Sequence, residues 1–283
     1  MGAFSNKTVA LIGCGALGSR LAPILRQQGA IVHGFRRNAS QLPDGIIAHA
    51  MDVHQPSSLG ALKANAWDYV VISLSPDAFT SEAYQQTYVQ GLKNILASLN
   101  TARLECLLWI SSTSVYAQDD DSWVDELSPT EPESFSGPAQ LAAEQLLNPW
   151  PQASIIRVAG IYRSERYRLA ERVQQGLISA TIEPDSYSNR IHLDDCVGVI
   201  AHLFRYSQTH ALEKCYLACD HEPVRYSVLL NWLAEQLGVP LNDGKPSAIA
   251  RASSKRCSNQ RLLNTGYDFL HPDFRSGLKR LFE

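Results

Sequence analysis

Residues 7–37, KTVALIGCGALGSRLAPILRQQGAIVHGFRR, restrict the chain to very few folds. Thr8–Ile12 is a short, β-rich apolar run, and glycines follow at 13, 15 and 18. Leu17, Leu21, Ile24 and Leu25 then recur at helical spacing as far as Gly29, and Ile31–Phe35 reads as a second strand. The order is strand, glycine turn, helix, strand, with Gly-x-Gly-x-x-Gly at the junction where a βαβ unit meets a dinucleotide. Gly13 permits the tight turn, Gly15 lets the backbone approach a pyrophosphate, and Gly18 lets the helix pack closely on the strand. Ala16 and Leu17 open the helix, whose unpaired N–H groups attract anions. The alternative is a purely structural glycine turn.

The end of the second strand bears on which dinucleotide is expected. An acidic side chain there would hold the 2′-hydroxyl of NAD. This sequence has Gly34-Phe35-Arg36-Arg37 instead. Arg36 and Arg37 can pair with a 2′-phosphate, so NADP is expected in preference to NAD. The bland reading is two solvated loop arginines. Asp52, just after the apolar stretch 46–50, and Ser73, late in the run DYVVISL (68–74), are the further positions expected to line the cofactor.

Alternation of strands and helices continues down the chain. Pro56–Lys63 suits a short helix, and SEAYQQTYVQGLKNILASL (81–99) carries Tyr84, Tyr88, Leu92, Ile95, Leu96 and Leu99 on one helical face. LECLLWISSTSVY and ASIIRVAGIY read as buried parallel-type strands. The expected fold is α/β: a Rossmann-type, doubly wound parallel sheet with a smaller C-terminal substrate lobe. Residues 1–160 form the NAD(P)-binding domain, to which 185–215 return; 161–184 and 216–283 form the lobe. With a net charge of −3 the chain is not expected to bind nucleic acid. No apolar run approaches the ~20 residues of a membrane span, and Val9–Leu17 is read as strand and turn rather than a removed leader. The six cysteines match no usual zinc spacing, so buried reduced thiols and a cytoplasmic location are expected, with no metal.

The motif order resembles the short-chain dehydrogenase/reductase superfamily, in its extended epimerase/dehydratase branch, over nearly the whole chain. WISSTSVYA resembles the strand-five signature, DELSPTEPESF…LAAEQLL the following loop and catalytic helix, IIRVAGIY the strand that turns into the substrate lobe, and NRIHLDDCVGVI a downstream Asp-containing segment. CYLACDHEPVRYSVLLNWLAEQLG resembles the strand, loop and helix of the C-terminal lobe. The chain also departs from the branch. Its glycine loop has the shorter spacing. The place of the arginine that usually holds a nucleotide-sugar diphosphate is Ser188, two positions before Arg190. The family's Tyr-x-x-x-Lys falls on Ser136 and Gln140. These departures resemble the atypical members, which keep the fold and cofactor site without that pair.

In the family the Tyr is the general acid/base and the Lys lowers its pKa. An aliphatic hydroxyl is a far weaker acid than a phenol of pKa ~10, so Ser136 cannot replace the Tyr. Gln140 carries no charge but can bond a ribose hydroxyl. The resemblance makes Ser112 the hydroxyl that orients the substrate oxygen. Tyr116 is either the proton donor or a structural Tyr beside the nicotinamide pocket. The acidic residues Asp119, Asp120, Asp121, Asp125, Glu126, Glu131 and Glu133 are expected in a solvated loop. Arg163, Arg166, Arg168 and Arg172 either clamp an anionic substrate or form a charged helix face, and His192 is expected to be a packed, hydrogen-bonded residue. Two functions stay open: an NADP-dependent oxidoreductase or epimerase/dehydratase-like enzyme acting on a small molecule, and a non-catalytic NADP-binding sensor. A homodimer through helices 82–99 and 137–148 is one expected assembly; the alternative is that the stripe Tyr84, Tyr88 and Leu92 on the first of them faces the sheet.

Overall fold

A computed structural model describes residues 2–242 and 254–283. Its centre is a seven-stranded sheet. The first five strands are β1 (Thr8–Ile12), β2 (Ile31–Arg36), β3 (Ile47–Ala50), β4 (Tyr69–Ile72) and β5 (Cys106–Ser112); Ala153–Val158 and Cys215–Ala218 complete it. The order is Cys215–Ala218, Ala153–Val158, β5, β4, β1, β2, β3. β1 pairs in parallel with both β2 and β4, β2 with β3 and β4 with β5. Chain order reverses between β1 and β4, which places the ligand crevice of an open α/β sheet at the carboxyl end of β1.

Helices α1 (Ala16–Gln27), α2 (Gly60–Ala64), α3 (Ser81–Tyr84), α4 (Gly91–Ser98) and α5 (Ser136–Leu146) flank this sheet. The helical stretch expected over 81–99 is interrupted. Gln85–Gln90 form a π-turn between α3 and α4, a local widening that shifts the register of the apolar face. Tyr88, Leu92, Ile95 and Leu99 are buried in one apolar cluster with Val70, Ile72, Leu107 and Trp109 of the sheet. The stripe expected to offer a dimer surface therefore faces the sheet. The buried runs of β4 and β5 explain why these strands read as continuous apolar segments rather than alternating ones.

The chain divides into two compact units: Met1–Val115, Thr130–Arg157 and Cys196–Tyr216 make the first, and Tyr116–Pro129, Val158–Asp195 and Leu217–Glu283 the second. Segment 116–129, expected in the first domain, falls in the second unit, where Trp123–Val124 pairs in parallel with Arg256–Cys257. That pairing joins positions over 130 residues apart and leaves no local signal. No helix among the described residues is long and apolar enough to cross a membrane.

Candidate functional site

The glycine turn is built as its spacing demands. Gly13 has φ +75°, and a Cβ there would lie 2.1 Å from the carbonyl oxygen of Ser73, so only glycine fits. The N–H groups of Gly13 and Cys14 both donate to Phe35 O, at 3.1 and 3.0 Å, which ties the turn to β2. A Cβ on Gly18 would meet Cys14 Sγ at 2.8 Å, so helix and turn are in direct contact. Burial pushes the Cys14 thiol up to about 11, which keeps it protonated and unreactive. Gly15 differs from the other two. The nearest atom to a Cβ there is Gly13 O, at 3.9 Å, so no contact among the described residues demands glycine. No side chain caps α1, and its first intrahelical-type bond is Ser19 N–H to Gly15 O, at 2.8 Å. The N–H groups of Ala16, Leu17 and Gly18 thus have no partner among the described residues, and they lie next to the space that Gly15 leaves clear.

A cleft of about 210 Å³ runs from this turn. It is lined by Gly13, Gly15, Arg36, Arg37, Asp52 and Ser73, together with His54, Asp77 and Thr87, which sequence reasoning missed. Ser73 is placed by its N–H bond to Ile12 O, at 2.9 Å. The Asp52 carboxylate accepts from the His54 N–H at 3.0 Å and from Gln55 Nε2 at 3.3 Å. The two arginines differ. Arg37 forms a two-pronged pair with Asp77, at 2.5 and 2.6 Å, whereas Arg36 makes no ion pair or side-chain hydrogen bond among the described residues.

Further along the first unit, β5 ends beside the start of α5. A Cβ on Gly137 would lie 2.4 Å from Ser114 O, so the helix can approach the strand end only through glycine. Ser112 Oγ accepts from the Ser114 N–H at 3.1 Å and keeps its own proton to donate. Its neighbour Ser111 donates to Glu144 Oε1 at 2.6 Å, and Arg157 grips the same carboxylate through Nε at 3.1 Å and Nη2 at 2.7 Å. This buried Ser111–Glu144–Arg157 group fixes α5 to the sheet. Ser136 stands in the first turn of α5 with its Oγ 3.2 Å from Ser134 Oγ. No charged group among the described residues is bonded to it. Gln140 is 4% exposed, and its Oε1 is buried with no hydrogen-bond partner among the described residues. A dinucleotide fits this set: the open space at Gly15, three unpaired N–H groups, a free guanidinium and an acceptor suited to a ribose hydroxyl.

The second unit holds Tyr116. Its ring is 2% exposed and its hydroxyl donates to Asp125 O at 2.7 Å, while the buried Lys255 ammonium donates to Tyr116 O at 3.0 Å. The phenol therefore has a structural partner, which speaks against the proton-donor role. The acidic loop is exposed as expected at Asp119, Asp120, Asp125, Glu131 and Glu133, but Asp121 and Glu126 are half-buried and engaged. Asp121 bonds Arg225 at 2.6 Å and also Ser254, and Glu126 accepts from the Leu217 N–H at 2.7 Å. Arg168 and Arg172, on the helix Arg168–Gln174, and Arg166 before it are exposed, whereas Arg163 is half-buried. His192 is buried and accepts from the Asp194 N–H through Nδ1 at 3.2 Å. The fold brings His192, Asp195 and His271 within 4.8 Å of one another, a grouping the spacing hides. The Asp195 carboxylate already accepts from the Tyr267 hydroxyl and the N–H groups of Leu270 and His271, at 3.0, 2.7 and 2.9 Å. It serves as an anchor for that loop. Asp220 has one carboxylate oxygen buried without a partner among the described residues, and burial pushes it up to about 8.

Residues 10–167 match the model of the NAD dependent epimerase/dehydratase family. A Methylobacillus flagellatus protein, assigned provisionally to the NAD-dependent epimerase/dehydratases, is 33% identical, with a TM-score of 0.83 and 98% of each chain covered. UDP-glucose 4-epimerase of Thermotoga maritima, solved with UDP-glucose, shares 14% identity and a TM-score of 0.82 over 97% of each chain. A short-chain dehydrogenase/reductase superfamily protein of Agrobacterium tumefaciens, solved with bound NAD, shares 17% identity and a TM-score of 0.80, covering 97% of this chain and 96% of that one. No curated protein matches the sequence.

Proposed function

This chain belongs to the NAD dependent epimerase/dehydratase family, and from that premise we propose that it binds NADP(H) in the cleft of its first unit and acts as an oxidoreductase or epimerase/dehydratase-like enzyme on a small polar molecule. The observation that carries the reading is the space at Gly15, bordered by unpaired α1 amides and followed along the cleft by an unpaired Arg36. Those amides would hold the pyrophosphate, and Arg36 the 2′-phosphate. Gln140 Oε1 would accept from the nicotinamide ribose. When bound, the cofactor supplies hydride transfer. Ser112, with its proton free, would donate to the substrate oxygen and orient it. Ser136 lacks both the acidity of a phenol and a cation beside it, so the proton must come from the substrate itself, from water or from another side chain.

A sugar nucleotide is one substrate class, after the UDP-glucose held by the Thermotoga maritima relative. Arg190 is 5% exposed, and Ser188 occupies the place of the diphosphate-binding arginine, which favours a smaller polar substrate. The six cysteines are free and buried, which supports a reducing compartment such as the cytoplasm. The engaged hydroxyl of Tyr116 favours the second reading, an NADP-binding sensor, because the one phenol considered as proton donor already has a structural partner.

Titration of NADPH and NADH by nucleotide fluorescence tests the cofactor reading. Arg36→Ala is expected to weaken NADPH by roughly 10- to 150-fold, the loss of a hydrogen bond to a charged group worth about 1.5–3 kcal/mol. NADH affinity should stay within about twofold. Equal affinities in the parent protein, unaltered in Arg36→Ala, would remove the basis for NADP.

A further inference from the structure

The Arg37–Asp77 pair sits in an unusual place. Arg37 follows β2 and Asp77 lies in the loop after β4. In the sheet these two strands flank β1, whose carboxyl end carries the glycine turn. The ion pair therefore joins the two walls of the dinucleotide crevice, and both partners line the cleft. The contact is two-pronged, with Nη1–Oδ2 at 2.5 Å and Nη2–Oδ1 at 2.6 Å. Two carboxylate oxygens on the guanidinium fork take the positions that two phosphate oxygens would take. The Arg37 guanidinium holds the Asp77 carboxyl below the usual carboxylate range, so the anion persists at neutral pH. The loop does not depend on Asp77 alone. Phe79, two residues on, packs edge-to-face on Phe135 at 4.6 Å and on Tyr84 at 5.8 Å.

We infer that Asp77 is a specificity-determining residue: its carboxylate occupies Arg37 as an internal stand-in for the 2′-phosphate and lowers the preference of the cleft for NADP over NAD. The inference rests on the reading of this cleft as a dinucleotide site with a 2′-phosphate position. With Asp77 in place, Arg36 alone is available to the phosphate, and the phosphate faces a fixed negative charge. Removing that charge frees the second arginine and ends the repulsion. NADH, which carries no 2′-phosphate, has little to gain.

The test uses the full chain and compares the parent with Asp77→Asn and with Asp77→Asn/Arg37→Ala, by NADPH and NADH titration. Asp77 is 60% exposed and Phe79 keeps its own contacts, so the substitution should leave the fold intact. Asp77→Asn is expected to tighten NADPH about three- to fivefold, the scale of an exposed ion pair, with NADH altered less than about twofold. The gain should vanish in the double variant. If the parent prefers NADPH and Asp77→Asn leaves the NADPH-to-NADH ratio unaltered or lowers it, the inference falls and the NADP reading stands. If the parent does not discriminate and Asp77→Asn prefers NADPH, the inference stands and the parent's NADP preference falls. If neither discriminates, both fall.

Discussion

Arg157→Ala is expected to be among the most destabilising single substitutions in the first unit, at about 3–5 kcal/mol in equilibrium unfolding. The reason is the state of Glu144 once its partner is gone. The Glu144 side chain is 5% exposed and that of Arg157 9%, so neither has water to replace the other. With the guanidinium removed, the carboxylate keeps, among the described residues, only the bond from Ser111. A carboxylate out of water with one donor is an uncompensated charge, and breaking such a pair costs more than the pair contributes. A double variant, Glu144→Leu with Arg157→Leu, should recover much of the loss, because a matched apolar replacement removes both desolvation terms. The effect reaches the site. Ser111 precedes Ser112, and the same group anchors α5 beside the strand end. If Arg157→Ala costs less than about 1 kcal/mol, the buried triad is not the fastening described here.

The second large effect separates binding from folding. Gly15→Ala should leave the melting temperature nearly unaltered yet weaken NADPH and NADH alike, by about 100-fold or more. Its Cβ would meet no protein atom closer than 3.9 Å, so the protein loses nothing on its own account. The methyl instead fills the space beside the N–H groups of Ala16 and Leu17. Held away by a methyl, a pyrophosphate cannot keep its hydrogen bonds, which fail beyond about 3.5 Å. Two such bonds to a charged group are worth about 1.5–3 kcal/mol each. Gly13→Ala provides the contrast. There the strain of φ +75° and the collision with Ser73 O should damage the fold itself. Cofactor binding retained in Gly15→Ala would mean that the pyrophosphate lies elsewhere.

How much of this was legible in the sequence follows from the range of each interaction. The glycine turn, α1 and β2 are set by residues within thirty positions of one another, and their pattern predicts the observed unit with its strand ends. The buried strands read as apolar runs for the same local reason. Arg37–Asp77 was not legible, because Asp77 enters the cleft only through the neighbouring strand β4. The Ser111–Glu144–Arg157 group left two separate signs. Arg157 is a lone charge in the strand ASIIRV, and Glu144 sits one turn after Gln140 on the inward face of α5. Each was an anomaly that should have prompted a search for a partner. The π-turn at 85–90 left no sign, because its apolar spacing is close to that of an α-helix. Between the two roles left open for Tyr116, proton donor or structural Tyr, the sequence could not choose, because the partner of its phenol, the Asp125 carbonyl, lies nine residues on in a loop without a pattern.

A crystal structure of the chain with NADPH tests most directly where the bound cofactor lies. The pyrophosphate oxygens should lie within hydrogen-bond distance of the Ala16 and Leu17 N–H groups, over Gly15. The 2′-phosphate should contact the Arg36 guanidinium, and a ribose hydroxyl should face Gln140 Oε1. A pyrophosphate away from the α1 terminus, or a 2′-phosphate in solvent with Arg36 turned from it, would contradict the account.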